Sequence, residues 1–295
     1  MQDIAELERK PDELPLLPTV VARLLALRSH DDDYFDQILI LAQEDPPFAL
    51  RLIKLANSAF SAPAEAITSL EGAIVRLGSQ HIANLSTSMA VTRVFLPTTQ
   101  GERNLWAHSI QAAVAARIIA NLNEDLKVQP DQAYLCGLVH DIGRFILFQD
   151  AADDLAHVEE SNWSTLEQLI DTEQEVFGFN HAELGWLACN KWCLPELVSI
   201  VVKNHHAYKS SKQSSTDTSL ENLIRVVQIA DSCSVFLLLN ADCCSWEANI
   251  LEEKLEKFCT HPSYPKALIP IKQLQQKIPA IMKESANIVS GLGIG

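Results

Sequence analysis

From Leu135 to Leu147 the chain reads LCGLVHDIGRFIL, with Leu135, Leu138, Val139, Ile142, Phe145 and Ile146 recurring at three- and four-residue intervals around an adjacent His140 and Asp141. That period is helical, and it predicts a helix from Asp131 to Phe148.

Outward from this segment the pattern stays helical. Helices are expected near Leu105–Leu122, Thr165–Phe177, Ala182–Trp192, Pro195–Asn204 and Leu220–Leu239, and no run shows the sustained period-2 alternation of strands. Upstream, Pro18 opens a helix to about Ser29, and Asp45 before Pro46 caps one running through Leu55. Thr68 with Glu71 reads as a capping box for a short helix stopped by Gly78, and Ser79 caps the next, to about Phe95. Asn57 and Ser58 are read as terminating a helix. The fold class is therefore all-α.

Pro97–Asn104 interrupts the periodicity and suggests an internal boundary, and Ala207–Ser219 is polar and aperiodic enough to be a solvated loop. The expected organisation is an extension over 1–13, an N-terminal helical subdomain over 14–97, a helical site-bearing subdomain over 104–240 and a helical extension over 241–295.

Composition narrows the function classes. Hydrophobic residues are 47% and charged residues 21%, an ordinary globular balance. The formal charge of -15 repels phosphate backbones and anionic lipid surfaces, which argues against nucleic acid as a partner. The longest apolar runs, such as Ile38–Ala42 and Val235–Leu239, fall short of the roughly 18 residues of a membrane span, and the acidic start has no signal-peptide pattern. Seven scattered cysteines do not read as a disulfide framework, and a reducing cytoplasm is expected. Cys189 and Cys193 are one turn apart without a second such pair and are read as buried small hydrophobes; Trp106, Trp186 and Trp192 are read as core and boundary aromatics.

Nine histidines occur, and five of them (His108, His140, His181, His205, His206) fall within about a hundred residues of one another together with Asp141; Asp231 follows. Imidazole nitrogen and carboxylate oxygen suit Mn, Mg, Fe, Ni or Zn, whereas a structural zinc would call for thiolates.

These segments resemble the HD superfamily of metal-dependent phosphohydrolases. LCGLVHDIGRFIL is similar to its His-Asp motif, LWAHSIQAAVAA supplies His108, and VVQIADSCS supplies Asp231. The resemblance implies that His108, His140, Asp141 and Asp231 ligate one metal, and that His181 in FGFNHAELG with His205 and His206 in VVKNHH complete a second site. Further upstream, LPLLPTVVARLLAL, EDPPFALRLIKLANSAF and ITSLEGAIVRLGSQHI resemble the HDOD branch, so the likeness runs from about Leu14 to Leu239.

The family likeness implies a multi-helix bundle holding one or two divalent ions, in a bacterial signalling or regulatory protein. Its expected partners are a phosphorylated small molecule or nucleotide and another protein. The alternative is an active phosphohydrolase in which Asp141, Arg144 and Asp231 take part in catalysis. The chain departs from the pattern at Arg144, where active relatives carry lysine, and after the paired histidines, where AYKSSKQSSTD replaces the Gly-Tyr-Pro of enzymes that cleave cyclic di-GMP.

Overall fold

The computed structural model describes residues 31–44, 52–53, 55–57, 67–78, 82, 88, 95, 97–161, 166–192, 194–207, 218–261, 269–292 and 294. Among them there is no strand, and eleven α-helices are delimited: α1 (Tyr34–Glu44), α2 (Gln100–Leu122), α3 (Pro130–Val139), α4 (Ile142–Asp150), α5 (Ala152–Glu160), α6 (Leu166–Phe177), α7 (His181–Lys191), α8 (Glu196–Asn204), α9 (Thr218–Leu239), α10 (Ala248–Cys259) and α11 (Ile271–Leu292). Residues 70–78 are also helical. The expected helix near Pro18, together with Ser58 and Cys193, lies outside the described residues, as does most of those near Asp45 and Ser79, of which Leu52, Ile53, Leu55, Ala56, Ile82 and Ser88 are described and helical.

Two long helices form the centre. α2 packs against α3, α9 and α11, and α9 also touches α3, α8 and α10. Their shared face is dense with small residues: Ala112, Ala113, Ala115 and Ala116 of α2 are fully buried, and the backbone of Ala113 lies against Gly137 of α3. Small side chains let these axes approach closely, which brings His108 on α2 within reach of His140 just past α3.

Ser219–Leu239 is by length and composition apolar enough to cross a membrane. Within the bundle, 61% of that window is buried, and Asp231 in its middle is only 2% exposed, so α9 behaves as a core helix.

Local chemistry sets the ends of the helices that matter. α2 starts at Gln100, inside the 97–104 stretch read as an interruption, because Thr99 and Glu102 form a capping box. The cap before residues 70–78 is Ser69, whose hydroxyl accepts the Gly72 N–H at 3.0 Å; the Thr68–Glu71 reading was one residue early. Gly78 ends this stretch at φ 72°, a left-handed conformation suited to glycine. Asn57 does terminate a helical stretch, and its amide both donates to and accepts from the Ile67 backbone, at 2.7 and 2.8 Å. Trp106 is fully buried, donates its indole N–H to the Phe95 carbonyl at 2.9 Å and packs on Phe145, which ties residue 95 to α2 and α4.

The single helix expected from Asp131 to Phe148 is two helices, α3 and α4, broken at His140 and Asp141. Asp141 leaves the helical region at φ -95°, ψ 20° and stands at the N-cap of α4 without using its carboxylate as a cap. That carboxylate is thereby free for other chemistry.

Candidate metal centre

Each polar side chain of the centre projects from a helix end or from the middle of a core helix. His108 comes from α2, His140 and Asp141 from the α3–α4 break, and Asp231 from α9. Asn180 caps α7 with Glu183 as its reciprocal partner, which places His181 at the first helical position. α8 ends at Asn204, so His205 and His206 fall in the turn that follows; Gln228 of α9 donates to the Asn204 and Ala207 carbonyls and holds that turn.

The seven residues converge as two sets joined by one carboxylate. On one side His108 Nε2 lies 3.2 Å from His140 Nε2, 3.3 Å from Asp231 Oδ1 and 3.7 Å from Asp141 Oδ2, and His140 Nε2 lies 3.6 Å from that same Asp141 oxygen. On the other, His181 Nε2 lies 3.2 Å from His205 Nε2, 3.1 Å from His206 Nε2 and 3.3 Å from Asp141 Oδ1, which is 3.4 Å from His205 Nε2. Donors about 2.1 Å from one ion at tetrahedral angles stand roughly 3.4 Å apart, so both sets match the edges of a coordination polyhedron.

The tautomers make the same case. Nδ1–H is donated by His140 to the Gly137 carbonyl at 2.8 Å, by His205 to the Val202 carbonyl at 2.6 Å and by His181 to Glu173 at 2.6 Å. His108 Nδ1 meets the Ser234 hydroxyl at 3.0 Å, and that hydroxyl is 3.1 Å from both the His108 carbonyl and Gln111 Oε1, either of which can accept its hydrogen. With Nδ1 donating, these Nε2 atoms face one another across the centre, where either a proton or a cation must stand between their lone pairs. Asp231 Oδ2 is buried without a hydrogen-bond partner, a further donor atom waiting for a positive charge.

The electrostatics point the same way. Burial alone would favour neutral imidazoles, but Asp141 and Asp231 outweigh it at His140 and push it up to about 9, and Glu173 with Asp141 does the same at His181. His205 and His206 are both lowered, by burial first and then by their imidazole neighbours. Burial opposes ionising Asp141 and Asp231, yet the surrounding histidines hold both well below the usual carboxylate range. Protons on His140 and His181 supply the positive charge that the centre otherwise lacks.

A cleft of about 670 Å³ opens over both sets, and His108, Asp141, His181, His206 and Asp231 line its floor. Its walls are largely apolar, from Leu105, Phe148, Leu155, Leu169, Val235 and Leu238, with Glu159 and Glu160 also contributing. Arg144 is the one arginine or lysine among the described lining residues, and it is ion-paired with Glu159.

Sequence reasoning missed Glu173, Ser234 and Gln111, which orient His181 and His108 without belonging to any His-Asp motif. The only signal for Glu173 is an acidic residue eight positions before His181, on an amphipathic helix where acids ordinarily face water. Trp106 and Trp192 are buried as expected, while Trp186 lies under Lys203 at the edge. Cys189 is free and fully buried, as are Cys136, Cys233 and Cys243.

Comparison with known proteins agrees with this architecture. An HDOD domain protein of unknown function from Geobacter sulfurreducens superposes with a TM-score of 0.69 at 21% identity, over 96% of both chains. A candidate phosphohydrolase of Shewanella amazonensis SB2B gives the same TM-score and identity over 97% of both. At such identities the likeness concerns the fold. An uncharacterised protein of Treponema pallidum (strain Nichols) is 26% identical over 204 residues, which are 68% of this chain but only 39% of that protein. The HDOD domain family matches residues 14–208, two thirds of the chain, starting where the motifs do and ending before the Asp231 segment of their Leu14–Leu239 span. With that match and an all-helical fold around the His-Asp pair, the chain belongs to the HDOD domain family.

Proposed function

We propose that this chain holds two divalent metal ions and hydrolyses a phosphoester of a small molecule, such as a nucleotide, in the cleft above them. The observation that carries the reading is the division of labour within Asp141, which turns Oδ2 to the His108–His140 set and Oδ1 to the His181–His205 set. A carboxylate so shared is how paired ions about 3.5–4 Å apart are held in hydrolytic sites. Divalent ions bound there would acidify water and neutralise phosphoryl charge.

The chain's own residues would do the rest. His108, His140 and Asp231 fix one side of the floor, His181, His205 and His206 the other. Apolar walls exclude bulk water and receive the non-phosphate part of the ligand. Arg144 lines the cleft and could hold a phosphoryl oxygen on leaving Glu159; its planar fork suits that contact.

A second reading rests on that same pair. With its cation engaged by Glu159, the cleft would retain a phosphorylated ligand without turning it over, as a cytoplasmic regulatory module that passes the bound state to a protein partner. The test is to reconstitute chelator-treated protein with Mn and measure hydrolysis of bis(p-nitrophenyl) phosphate and a panel of nucleotides. Metal-dependent turnover lost in Asp141→Ala supports the hydrolase. Binding of a nucleotide without turnover supports the regulatory reading, and neither binding nor turnover overturns both.

A further inference from the structure

The two halves of the centre are unequal in charge. Asp141 is common to both, and the His108–His140 side has a carboxylate of its own in Asp231. The other side has three imidazoles and no private carboxylate among its donors. Immediately behind it sits Glu173, fully buried on α6.

Glu173 Oε2 accepts two hydrogen bonds from one residue, the His181 backbone N–H at 2.9 Å and the His181 Nδ1–H at 2.6 Å. Its other oxygen is buried with no hydrogen-bond partner. A carboxylate kept dry and incompletely satisfied is costly unless positive charge nearby compensates it, and here the His181 imidazole acts on it first and the Arg144 guanidinium after it. Three of the other rings are backed by neutral groups, backbone carbonyls behind His140 and His205 and a serine hydroxyl behind His108, and the His206 Nδ1 is buried with no hydrogen-bond partner. A carboxylate behind a ligating imidazole fixes the ring and raises the basicity of Nε2, where a carbonyl does so less.

We propose that Glu173 is a positioning residue that supplies, through His181, the counter-charge of the ion held by Asp141, His181, His205 and His206, and that this imidazole-rich site takes an ion of the nitrogen-preferring class, such as Zn, Co, Ni or Fe. Resting on the two-metal reading, the inference divides the labour of the pair. The side with two carboxylates suits Mn or Mg, and the side with three imidazoles does not. Glu173 holds the second ion without touching it.

Glu173→Gln tests this, because glutamine keeps the shape and one acceptor oxygen while removing the charge. Chelator-treated full-length protein is titrated with Co²⁺, following bound metal and the visible absorption of the ion. Wild type is expected to take two equivalents. In Glu173→Gln one equivalent should bind as in wild type and the other about 10–100-fold more weakly, with far-UV helicity unchanged. In His108→Ala the remaining tight equivalent should be the one that weakens when Glu173→Gln is added.

Superimposable titrations of wild type and Glu173→Gln overturn the inference alone. So does equal weakening of both equivalents together with a lowered melting temperature, which is the mark of a merely structural role. A wild type that takes up no Co²⁺ overturns the two-metal reading itself.

Discussion

Gly143 of α4 lies directly against the backbone of His181 of α7: a β-carbon on Gly143 would overlap the His181 carbonyl oxygen and stand 2.9 Å from the Gly185 amide nitrogen. This crossing of two backbones brings Asp141, two residues before Gly143, to His181 at the start of α7. Only glycine permits it, since neither neighbour is a side-chain tip that could swing aside.

Gly143→Ala should therefore force α4 and α7 apart and damage the centre together with the fold. Overpacking of this kind costs roughly 3 kcal/mol or more, about 6–12 °C in melting temperature for a chain near this size. Because the Asp141 Oδ1 to His181 contact crosses the same interface, the ion on that side should be lost first. Thermal melts with metal analysis check this; an unchanged melt would mean the helices do not pack as described.

Asp141 and Asp231 make opposite predictions about stoichiometry. Asp141 has one oxygen toward each set, whereas Asp231 reaches only His108 and His140. Asp141→Asn should weaken both ions, and Asp231→Asn should remove one and leave the His181 side filled. Elemental analysis of the two variants beside wild type separates these outcomes, and identical losses would exclude a shared carboxylate.

The seven side chains that converge in the centre were legible in the sequence because each stands at a fixed place in a motif, and helical period gave most element positions. What the chain did not disclose is geometry at helix ends. The period runs unbroken through His140 and Asp141, so the break there is invisible to it, and the Thr99–Glu102 capping box hides in a stretch whose Pro and Gly read as a linker. α5 was missed altogether, since ADDLAHVEE is too polar for a nine-residue pattern to stand out. Glu173 could not be told from a surface acid until α6 was seen to lay it beneath His181.

Metal affinity should rise with pH. In the metal-free protein His140 and His181 hold protons up to about 9, and a ligating imidazole must be neutral, so each ion displaces about one proton. Each affinity should then increase up to about tenfold per pH unit between roughly 6.5 and 9. For the metal-free fold the sign reverses: folded values above the unfolded 6.5 give stability that is complete below 6.5 and lost as pH rises through about 9. Titrations at pH 6, 7 and 8, with melts of chelator-treated protein at the same values, test both halves. A pH-independent affinity would place the protons elsewhere.

Glu159 sets how available Arg144 is to a ligand. The guanidinium is mostly buried at the cleft wall, while the Glu159 carboxylate that pairs with it is 41% exposed. An incoming phosphoryl group must take the guanidinium from an existing partner and also approach the acidic Glu160. Glu159→Gln removes that competition and should tighten inorganic phosphate binding to the metal-loaded protein several-fold. Arg144→Ala should weaken it about 10–100-fold, the range expected for losing a hydrogen bond to a charged group. Arg144→Lys should recover only part of this, because a point donor cannot match two phosphoryl oxygens as the fork does. Calorimetric titration with phosphate, with metal content measured in each variant to exclude loss of the floor, gives the ranking. Equal affinities in wild type, Glu159→Gln and Arg144→Ala would show that the guanidinium does not meet the ligand and would assign the pair to holding α4 against α5.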